Sequence, residues 1–237
     1  MAERLQSLIE SQKALLRDVS HELRSPLARL QAALGLARRH TEGRAAEELD
    51  RIEREAERLN ELIGQILSLS RMAGETLERT CEPVDLTALI DTVCHDADFE
   101  ARQRDRRVAV LATVPVTVSG NPALLHSAIE NVVRNAVRYT AAGTTVEVTL
   151  AMVSGAVEVR VRDHGAGVLP EYLERIFEPF FRASEARERG SGGYGLGLAI
   201  ARRAIELHRG SIRADNESAG GLVVTLWLPL APEQAGS

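Results

Sequence analysis

The feature that most constrains this chain is a pair of apolar seams near its N-terminus, each with alternating spacings of four and three residues. The first seam runs from Leu5 to Leu30 with one polar interruption at Gln12. After the polar break RRHTEGR, the same spacing resumes at Ala45 and continues to Ser70. This spacing is typical of helices that pack in coiled coils or bundles. The chain is therefore predicted to begin with two long helices joined by a short loop, which form an antiparallel hairpin.

The oligomeric state follows from how little of a seam one hairpin can bury. Two helices cover an apolar seam poorly, whereas four helices close it. We therefore expect a homodimer through residues 1–74, in which two hairpins form a four-helix bundle.

The second part of the chain begins after a lapse in the helical pattern. Between Met72 and Asp85 the periodicity stops, and this stretch holds a glycine and a proline. The predicted organisation is a helical hairpin at 1–74, a linker at 75–84, an α/β domain at 85–231 and a C-terminal tail at 232–237. In the α/β domain, helices are predicted at 86–102, 122–139 and 195–208, and strands at 108–112, 117–120, 145–151, 157–162, 211–214 and 222–228. This alternation predicts an α/β sandwich with a mixed or antiparallel sheet.

Composition excludes several classes of protein. The 237 residues are 44% hydrophobic, enough for a sizeable core, and the net charge of −5 gives no general attraction to nucleic acid or anionic lipid. Lys13 is the only lysine, so a P-loop is excluded. Cys81 and Cys94 lack metal-ligand spacing and are expected to be reduced thiols in a cytosol. No apolar run approaches the roughly 18 residues of a membrane span.

The stretch HELRSP places a histidine and a proline inside the first helical pattern. His21 lies about 200° around the helix from Val19 and from Leu23, so it points away from the seam. Position alone favours an ordinary surface histidine. The neighbours favour a functional one, because a Glu22 carboxylate can accept a hydrogen bond from Nδ1–H and leave Nε2 as a nucleophile. Pro26 should bend the helix one turn later, at a cost of about 3 kcal/mol that packing alone does not explain.

Polar and glycine-rich stretches also mark the predicted α/β domain. Asn131 and Asn135 are four residues apart, on one face of a predicted helix together with Arg138. Asp163 ends a predicted strand and is followed by a glycine turn. The stretch GSGGYGLGLAI opens a helix, where backbone N–H groups can meet phosphate oxygens. Each stretch alone is weak evidence for a site.

Taken in order, these stretches resemble the five motifs of sensor histidine kinases of two-component signalling. SHELRSPL resembles the H-box, NVVRNAVRYT the N-box, DHGAG the first glycine box, FEPFFR the F-box and GYGLGLAI the second glycine box. The opening stretch up to Leu30 is similar to the segment that follows a HAMP linker in Cpx-type envelope-stress kinases. The resemblance covers nearly the whole chain. It implies an α-helical hairpin, dimeric as a four-helix bundle, followed by an α/β sandwich ATP-binding domain of the histidine kinase, gyrase and chaperone ATPase class.

The resemblance implies a reaction centred on His21. ATP-dependent autophosphorylation of His21 would be followed by phosphoryl transfer to an aspartate of a response regulator. Glu22 would be the acid/base partner of the histidine. Ser25 occupies the position where relatives often carry a threonine or asparagine that helps dephosphorylate the regulator. A serine keeps the hydroxyl but loses the methyl that limits its rotamers, so phosphatase activity stays an open point.

The resemblance also implies a site for ATP and Mg²⁺. Asn135 would be a magnesium ligand, and Asn131 would orient the triphosphate. Asp163 would accept a hydrogen bond from the adenine amine, in a pocket shaped by Gly165 and Gly167. The other implied members of the site are Arg138 at phosphate, Tyr139 beside the nucleotide, Phe180, Arg182, Gly193, Gly195, Leu196 and Gly197. Residues from about 177 to 193 would form a mobile lid whose hinge glycines approach the phosphates.

The implied partner is the receiver domain of a response regulator, and no nucleic-acid partner is expected. The chain is expected to be the cytoplasmic portion of an inner-membrane sensor kinase, joined to the membrane only through an N-terminal sensor region absent from this sequence. Two alternatives stay open. One is an ATPase of the same sandwich class without phosphotransfer, which His21 on a dimeric hairpin disfavours. The other is a non-catalytic dimeric nucleotide-binding scaffold, which Asn135, Asp163 and the glycine boxes disfavour.

Overall fold

The computed structural model describes two compact parts of the chain. It describes residues 30, 34, 35, 37, 44–72, 81–153, 155–183, 194–218 and 220–230. The chain divides into one unit at Met1–Glu75 and a second at Thr76–Ser237. Residues 30, 34, 35 and 37 of the first predicted helix are helical, and the rest of that helix, with the predicted bend at Pro26, lies outside the described residues.

The described part of the first unit is a single long helix, α1, at Arg44–Met72. Its apolar seam is only partly covered within one chain. Ala56 and Leu67 are 3% exposed, whereas Ile52 and Leu59 are 46% and 49% exposed. Large aliphatic side chains at this exposure leave apolar surface in water, which another surface can bury at a gain of about 25 cal/mol per Å².

The second unit is built on a five-stranded sheet. Its strands are β2 at Arg107–Ala112, β4 at Thr145–Val153, β5 at Ala156–Arg162, β6 at Ser211–Asn216 and β7 at Leu222–Pro229. The order across the sheet is β2-β4-β5-β7-β6. The pair β2–β4 is parallel, and the other three pairs are antiparallel. The sheet is therefore mixed.

A second, two-stranded sheet pairs β1 at Glu82–Asp85 with β3 at Thr117–Gly120 in antiparallel register. Residues 82–84 of this strand were predicted to belong to the linker. The difference has a physical cause, because β1 is short, contains Pro83 and buries only Val84. Such a strand lacks the alternating pattern by which strands are recognised.

Three helices complete the second unit: α2 at Leu86–Arg102, α3 at Pro122–Tyr139 and α4 at Gly197–Leu207. Asp85 caps α2 by accepting a hydrogen bond from the N–H of Ala88, and Asn121 caps α3 in the same way through Leu124. Across the described helices of the whole chain, none combines the length and the apolar content that a bilayer crossing requires.

The core lies between the five-stranded sheet and the helices. On β4, Val146, Val148 and Leu150 are at most 1% exposed, and they alternate with residues that are half-buried on the other face. Helix α3 contacts both α2 and α4 and contributes residues such as Leu125 and Ile129 to the same core. Each fully buried aliphatic side chain contributes about 1.5–3 kcal/mol relative to an exposed one. The core thus fixes α3, the helix that carries the two asparagines.

A buried histidine ties α4 to the start of α3. His208 Nε2 accepts a hydrogen bond from the backbone N–H of Asn121 at 2.9 Å, so its proton must be on Nδ1, which donates to the Ala204 carbonyl at 2.6 Å. Burial lowers the pKa of His208, although the hydrogen bond to the Ala204 carbonyl acts to raise it. Gly120 permits this approach, because a Cβ there would lie 2.6 Å from His208 Cδ2.

Candidate nucleotide-binding site

Asp163 stands at the end of β5 and is 3% exposed. Its Oδ1 accepts hydrogen bonds from the backbone N–H of Gly165 at 2.8 Å and of Leu222 at 3.2 Å. Burial raises the pKa of the Asp163 carboxyl, while these two bonds and the neighbouring His164 act to lower it. No described residue donates a hydrogen bond to Oδ2. One oxygen is therefore fixed by the protein, and the other is available to a ligand.

The loop that follows Asp163 is held by close packing. A Cβ at Gly165 would fall well inside van der Waals contact with the Tyr139 carbonyl, so a side chain there would push the loop away from α3. Gly167 has a φ of +72°, a conformation that L side chains rarely adopt. Both glycines are thus required by the path of the backbone.

The two asparagines of α3 lie one turn apart, and both are half-buried. The Nδ2 of Asn131 donates to the carbonyl of Ser127 at 2.8 Å. Its Oδ1 faces α4, because a Cβ built at Gly197 would lie 2.7 Å from it. In the part of the chain that the structure describes, the Asn135 side chain has no hydrogen-bond partner. A half-buried amide without a protein partner is a suitable ligand for a cation or a phosphate-bound water.

The C-terminal end of α3 is anchored from two sides. The Arg106 guanidinium donates through Nη1 to the carbonyls of Val137 at 2.9 Å and Arg138 at 3.0 Å. Thr140, which is 1% exposed, accepts a hydrogen bond on Oγ1 from the N–H of His164 at 3.1 Å. The half-buried Arg138 and the 51% exposed Tyr139 are therefore presented from a fixed helix end beside the Asp163 loop.

Helix α4 begins at Gly197 without a side-chain cap. Its first residue follows Leu196, which is 1% exposed and anchors the helix start in the core. The first N–H groups of a helix have no partner inside the helix, and they favour anionic groups. Because Gly197 has no side chain, α4 starts directly against Asn131 of α3. The predicted start of this helix at Gly195 is wrong, because the φ of +73° at Gly195 is incompatible with a helix.

Phe180, near the start of the predicted lid, meets Gly195, two residues beyond its predicted end. The backbone N–H of Phe180 donates to the carbonyl of Gly195 at 2.9 Å. A Cβ at Gly195 would lie 2.6 Å from the Phe181 carbonyl, so only glycine allows this closure. Phe180 itself has a φ of +65° and is 62% exposed, a strained and solvent-facing arrangement. The Arg182 side chain is exposed.

An aromatic stack supports this closure. The guanidinium carbon of Arg175 lies 4.3 Å from the ring centroid of Phe181. The ring of Tyr172 meets Phe181 edge to face, with centroids 5.3 Å apart. Such contacts each contribute about 0.5–1.5 kcal/mol, and they hold Phe181 against the preceding residues Tyr172 and Arg175.

The structure brings most of the predicted nucleotide-site residues into one connected region. Asn131 meets Gly197, Tyr139 meets Gly165, Gly165 binds Asp163, and Phe180 meets Gly195 through the contacts given above. Four predicted site residues, His21, Glu22, Ser25 and Gly193, lie outside the described residues.

Sequence reasoning missed several residues that shape this region. Asn216 hydrogen bonds to the loop after Asp163. Gly221 lies directly against the backbone carbonyl of Asp163. Thr140 and Arg106 anchor the end of α3. The doublet Gly220–Gly221 was a usable signal, because both residues have positive φ in the turn between β6 and β7. Asn216 gave no local signal, since its partner lies 48 residues away.

The residues present fit ATP with magnesium. Within the described ranges, no three His, Cys, Asp or Glu side chains cluster to hold a metal by themselves. Magnesium is usually held by one or two protein oxygens together with substrate phosphates, and Asn135 offers such an oxygen. The free Oδ2 of Asp163 and the uncapped start of α4 offer an acceptor and an anion site at separate places in the same region.

Comparison with known proteins identifies two domains. Residues 11–75 match the His Kinase A (phospho-acceptor) domain, and residues 120–232 match the histidine kinase-, DNA gyrase B-, and HSP90-like ATPase. The sensor histidine kinase CpxA of Escherichia coli (strain K12) is 43% identical over 231 residues, which cover 97% of this chain and 50% of that protein. The chain thus spans about half the length of the curated relatives it matches.

Solved structures show the same architecture. Full-length ShkA in complex with AMPPNP matches with a TM-score of 0.75 at 27% identity, over 92% of this chain and 46% of that chain. The mycobacterial sensor histidine kinase MprB matches with a TM-score of 0.56 at 32% identity, over 64% of this chain and 99% of that chain.

The fold and the site define the second unit as an ATP-binding α/β sandwich of the class shared by histidine kinases, gyrase and Hsp90. With a phosphoacceptor domain in front of it, the chain belongs to the sensor histidine kinase family. The family resemblance and the fold class inferred from the sequence are confirmed.

Proposed function

We propose that this chain binds Mg-ATP, autophosphorylates on His21 and passes the phosphoryl group to an aspartate of a response regulator. The observation that carries the proposal is the junction of three elements in the second unit. Asn131 of α3 faces the start of α4 at Gly197, and the end of α3 at Tyr139 meets the Asp163 loop at Gly165. An acceptor, two amides and an anion-favouring helix start thus lie in one region, within a family-matched domain.

Asp163 would recognise the adenine base. Its Oδ1 is occupied by two backbone donors, so Oδ2 would accept a hydrogen bond from the exocyclic amine. Gly165 and Gly167 would give the base access to this carboxylate, and Tyr139 would lie beside the nucleotide. Guanine carries a carbonyl at the position of the adenine amine, and a carboxylate repels it. The site would therefore select adenine.

The polyphosphate would be held by α3 and α4. Asn131 would orient it, Arg138 would meet its charge, and the backbone N–H groups at Gly197 and after it would bind its oxygens. Asn135 would hold magnesium, which when bound neutralises charge on the phosphates. Phe180, Arg182, Gly193, Gly195 and Leu196 would belong to the lid and its hinges.

The acceptor would lie in residues 1–74, as the hairpin and dimerisation domain. Glu22 would accept a hydrogen bond from Nδ1–H of His21 and leave Nε2 to attack. Ser25 would lie at the position from which relatives help to dephosphorylate the regulator. The stretch between α1 and β1 would join this domain to the ATP-binding domain, and the whole would be the cytoplasmic portion of an inner-membrane sensor kinase.

The direct test is incubation of the chain with γ-labelled ATP and magnesium. We expect the protein to gain phosphate that acid removes and alkali preserves, as phosphohistidine does, and to lose it when an isolated receiver domain is added. ATP hydrolysis without labelled protein would favour the ATPase of the same class. Nucleotide binding without hydrolysis or labelling would favour the scaffold.

Dimerisation is expected to reside in the first unit, because the exposed Ile52 and Leu59 of α1 need a covering surface. A fragment of residues 76–237 should be monomeric by light scattering and still bind ATP. In the full chain, Leu59→Glu should shift the protein toward monomer, while Asn60→Glu, on the neighbouring exposed residue, should not. A dimeric 76–237 fragment would place the interface in the second unit instead.

Asn135→Ala is expected to remove the magnesium-dependent part of ATP binding, weakening affinity at least about tenfold while the protein stays folded. Calorimetric titration with and without magnesium measures both effects. Arg134→Ala is the matched control, since Arg134 is an adjacent exposed residue whose ion pairs with Glu100 and Glu130 contribute little. Equal magnesium dependence in the Asn135 variant and the wild type would show that the ligand lies elsewhere.

A further inference from the structure

We infer that Asn216 is a positioning residue for nucleotide binding, which holds the loop after Asp163 in its binding shape; this inference rests on the proposed function. Asn216 is the last residue of β6, 53 positions beyond Asp163 in the chain. Its side chain hydrogen bonds twice to one residue of the loop. Oδ1 accepts from the N–H of Val168 at 2.9 Å, and Nδ2 donates to the Val168 carbonyl at 2.6 Å.

The pairing is specific to a carboxamide. A side chain that satisfies the N–H and the carbonyl of one residue must present an acceptor and a donor side by side, as the amides of asparagine and glutamine do at neutral pH. The fit extends to Gly167, where a Cβ would lie 2.7 Å from Asn216 Oδ1. The position of the Asn216 side chain therefore requires a glycine at residue 167 of the loop.

The two ends of the loop are fixed to one pair of residues. Leu222 donates to Asp163 Oδ1 and its carbonyl accepts from the Asp163 N–H at 2.9 Å, so it holds the start of the loop. Asn216 holds the end at Val168. Asn216 and Leu222 face each other in the register of β6 and β7. The segment from Asp163 to Val168 is thus clamped at both ends by a single cross-strand pair.

These contacts predict how the loss of the Asn216 side chain affects nucleotide affinity. Asp163 keeps its own bonds to Leu222, but the chain through Gly165 and Gly167 gains freedom that must be lost again when a base binds. Because this loop lies at the predicted base end of the site, ATP and ADP should lose affinity by the same factor. A defect at the phosphate end or the lid would instead separate the two nucleotides.

The decisive variant is Asn216→Asp in the full chain. The carboxylate has the same shape and can still accept from the Val168 N–H, but it faces the Val168 carbonyl with an acceptor. Near neutral pH we expect ATP and ADP to bind about threefold to tenfold more weakly than to the wild type, the range for one or two exposed hydrogen bonds. Protonation restores a donor, so the ratio of variant to wild-type affinity should recover as pH falls through about 4, the ordinary pKa of an aspartate.

Asp215→Asn is the matched control, since Asp215 is the preceding residue and pairs with Arg213. It should bind both nucleotides like the wild type. Asn216→Ala provides a second variant, expected to show the same equal loss for ATP and ADP but no recovery at low pH. Melting temperatures of the nucleotide-free proteins separate this loss from general destabilisation.

Three results would overturn the inference: wild-type affinity in both Asn216 variants, unequal losses for ATP and ADP, or an Asn216→Asp defect that acid leaves unchanged. A wild-type chain that binds neither nucleotide would instead overturn the proposed function. The two failures are therefore distinguishable in one titration series.

Discussion

Replacing His21 with glutamine is expected to abolish autophosphorylation, lowering acid-labile labelling by at least about a thousandfold, because an amide offers no nucleophile in place of the imidazole. ATP affinity should stay within about twofold of the wild type, since the nucleotide residues belong to the second unit and His21 belongs to the first. Labelling with γ-labelled ATP and a parallel nucleotide titration measure the two quantities. Phosphate that persists on this variant would move the acceptor to another residue.

A mixed dimer extends the same experiment to the direction of transfer. One subunit carries His21→Gln and keeps its nucleotide residues, and the other carries Asn135→Ala and keeps its histidine. Label on the Asn135→Ala subunit would mean transfer between subunits. Its absence, with active wild-type dimers, would mean transfer within one subunit.

Replacing Asp163 with asparagine is expected to weaken ATP binding at least about a hundredfold, because a site built to accept a hydrogen bond rejects a ligand when the acceptor is lost. The two backbone donors at Gly165 and Leu222 will retain the asparagine oxygen at the Oδ1 position. The amide nitrogen must then point at the ligand, where it opposes the adenine amine. Normal ATP affinity in this variant would show that Asp163 does not contact the base.

The melting temperature of the Asp163→Asn variant at different pH values tests whether the Asp163 carboxylate is ionised in the folded protein. Burial raises the pKa of Asp163, so the ionised carboxylate costs stability at neutral pH, and this cost is relieved as pH falls through the folded-state pKa. We expect Asp163→Asn to melt at a higher temperature than the wild type near neutral pH and to lose this advantage in acid. Wild-type ATP affinity should fall over the same acidic range, since the proton occupies the acceptor.

Sequence predicted the helices of the second unit best where a chemical signal marks their start. Helices α2 and α3 have the predicted bounds, because Asp85 and Asn121 cap them and Pro122 is suited to the first turn. Strand β1 escaped prediction because one buried residue, Val84, cannot show a period. The late start of α4 depends on the positive φ of Gly195, which is set by the close approach of Phe181.

The residues of the candidate site also fall into two groups, those that a local sequence pattern predicts and those that it does not. Segments such as the N-box and the glycine boxes could be found from sequence because each carries its residues within a few positions. The anchors of the site could not, because Asn216 with Val168, Thr140 with His164 and Arg106 with the end of α3 join residues 48, 24 and 32 positions apart. Such pairs become neighbours only when the sheet and helices have packed.

The closure of Phe180 on Gly195 has a consequence for how this protein can vary. The hydrogen bond between them joins the two ends of the intervening segment, so the sheet and α4 do not depend on how long that segment is. Each doubling of a loop costs only about 0.6 kcal/mol in closure entropy. We therefore expect the sheet and α4 to keep their fold when residues are inserted or removed between Phe180 and Gly195. This segment can therefore vary in length and sequence, in natural relatives or in engineered variants, while the rest of the second unit keeps its fold.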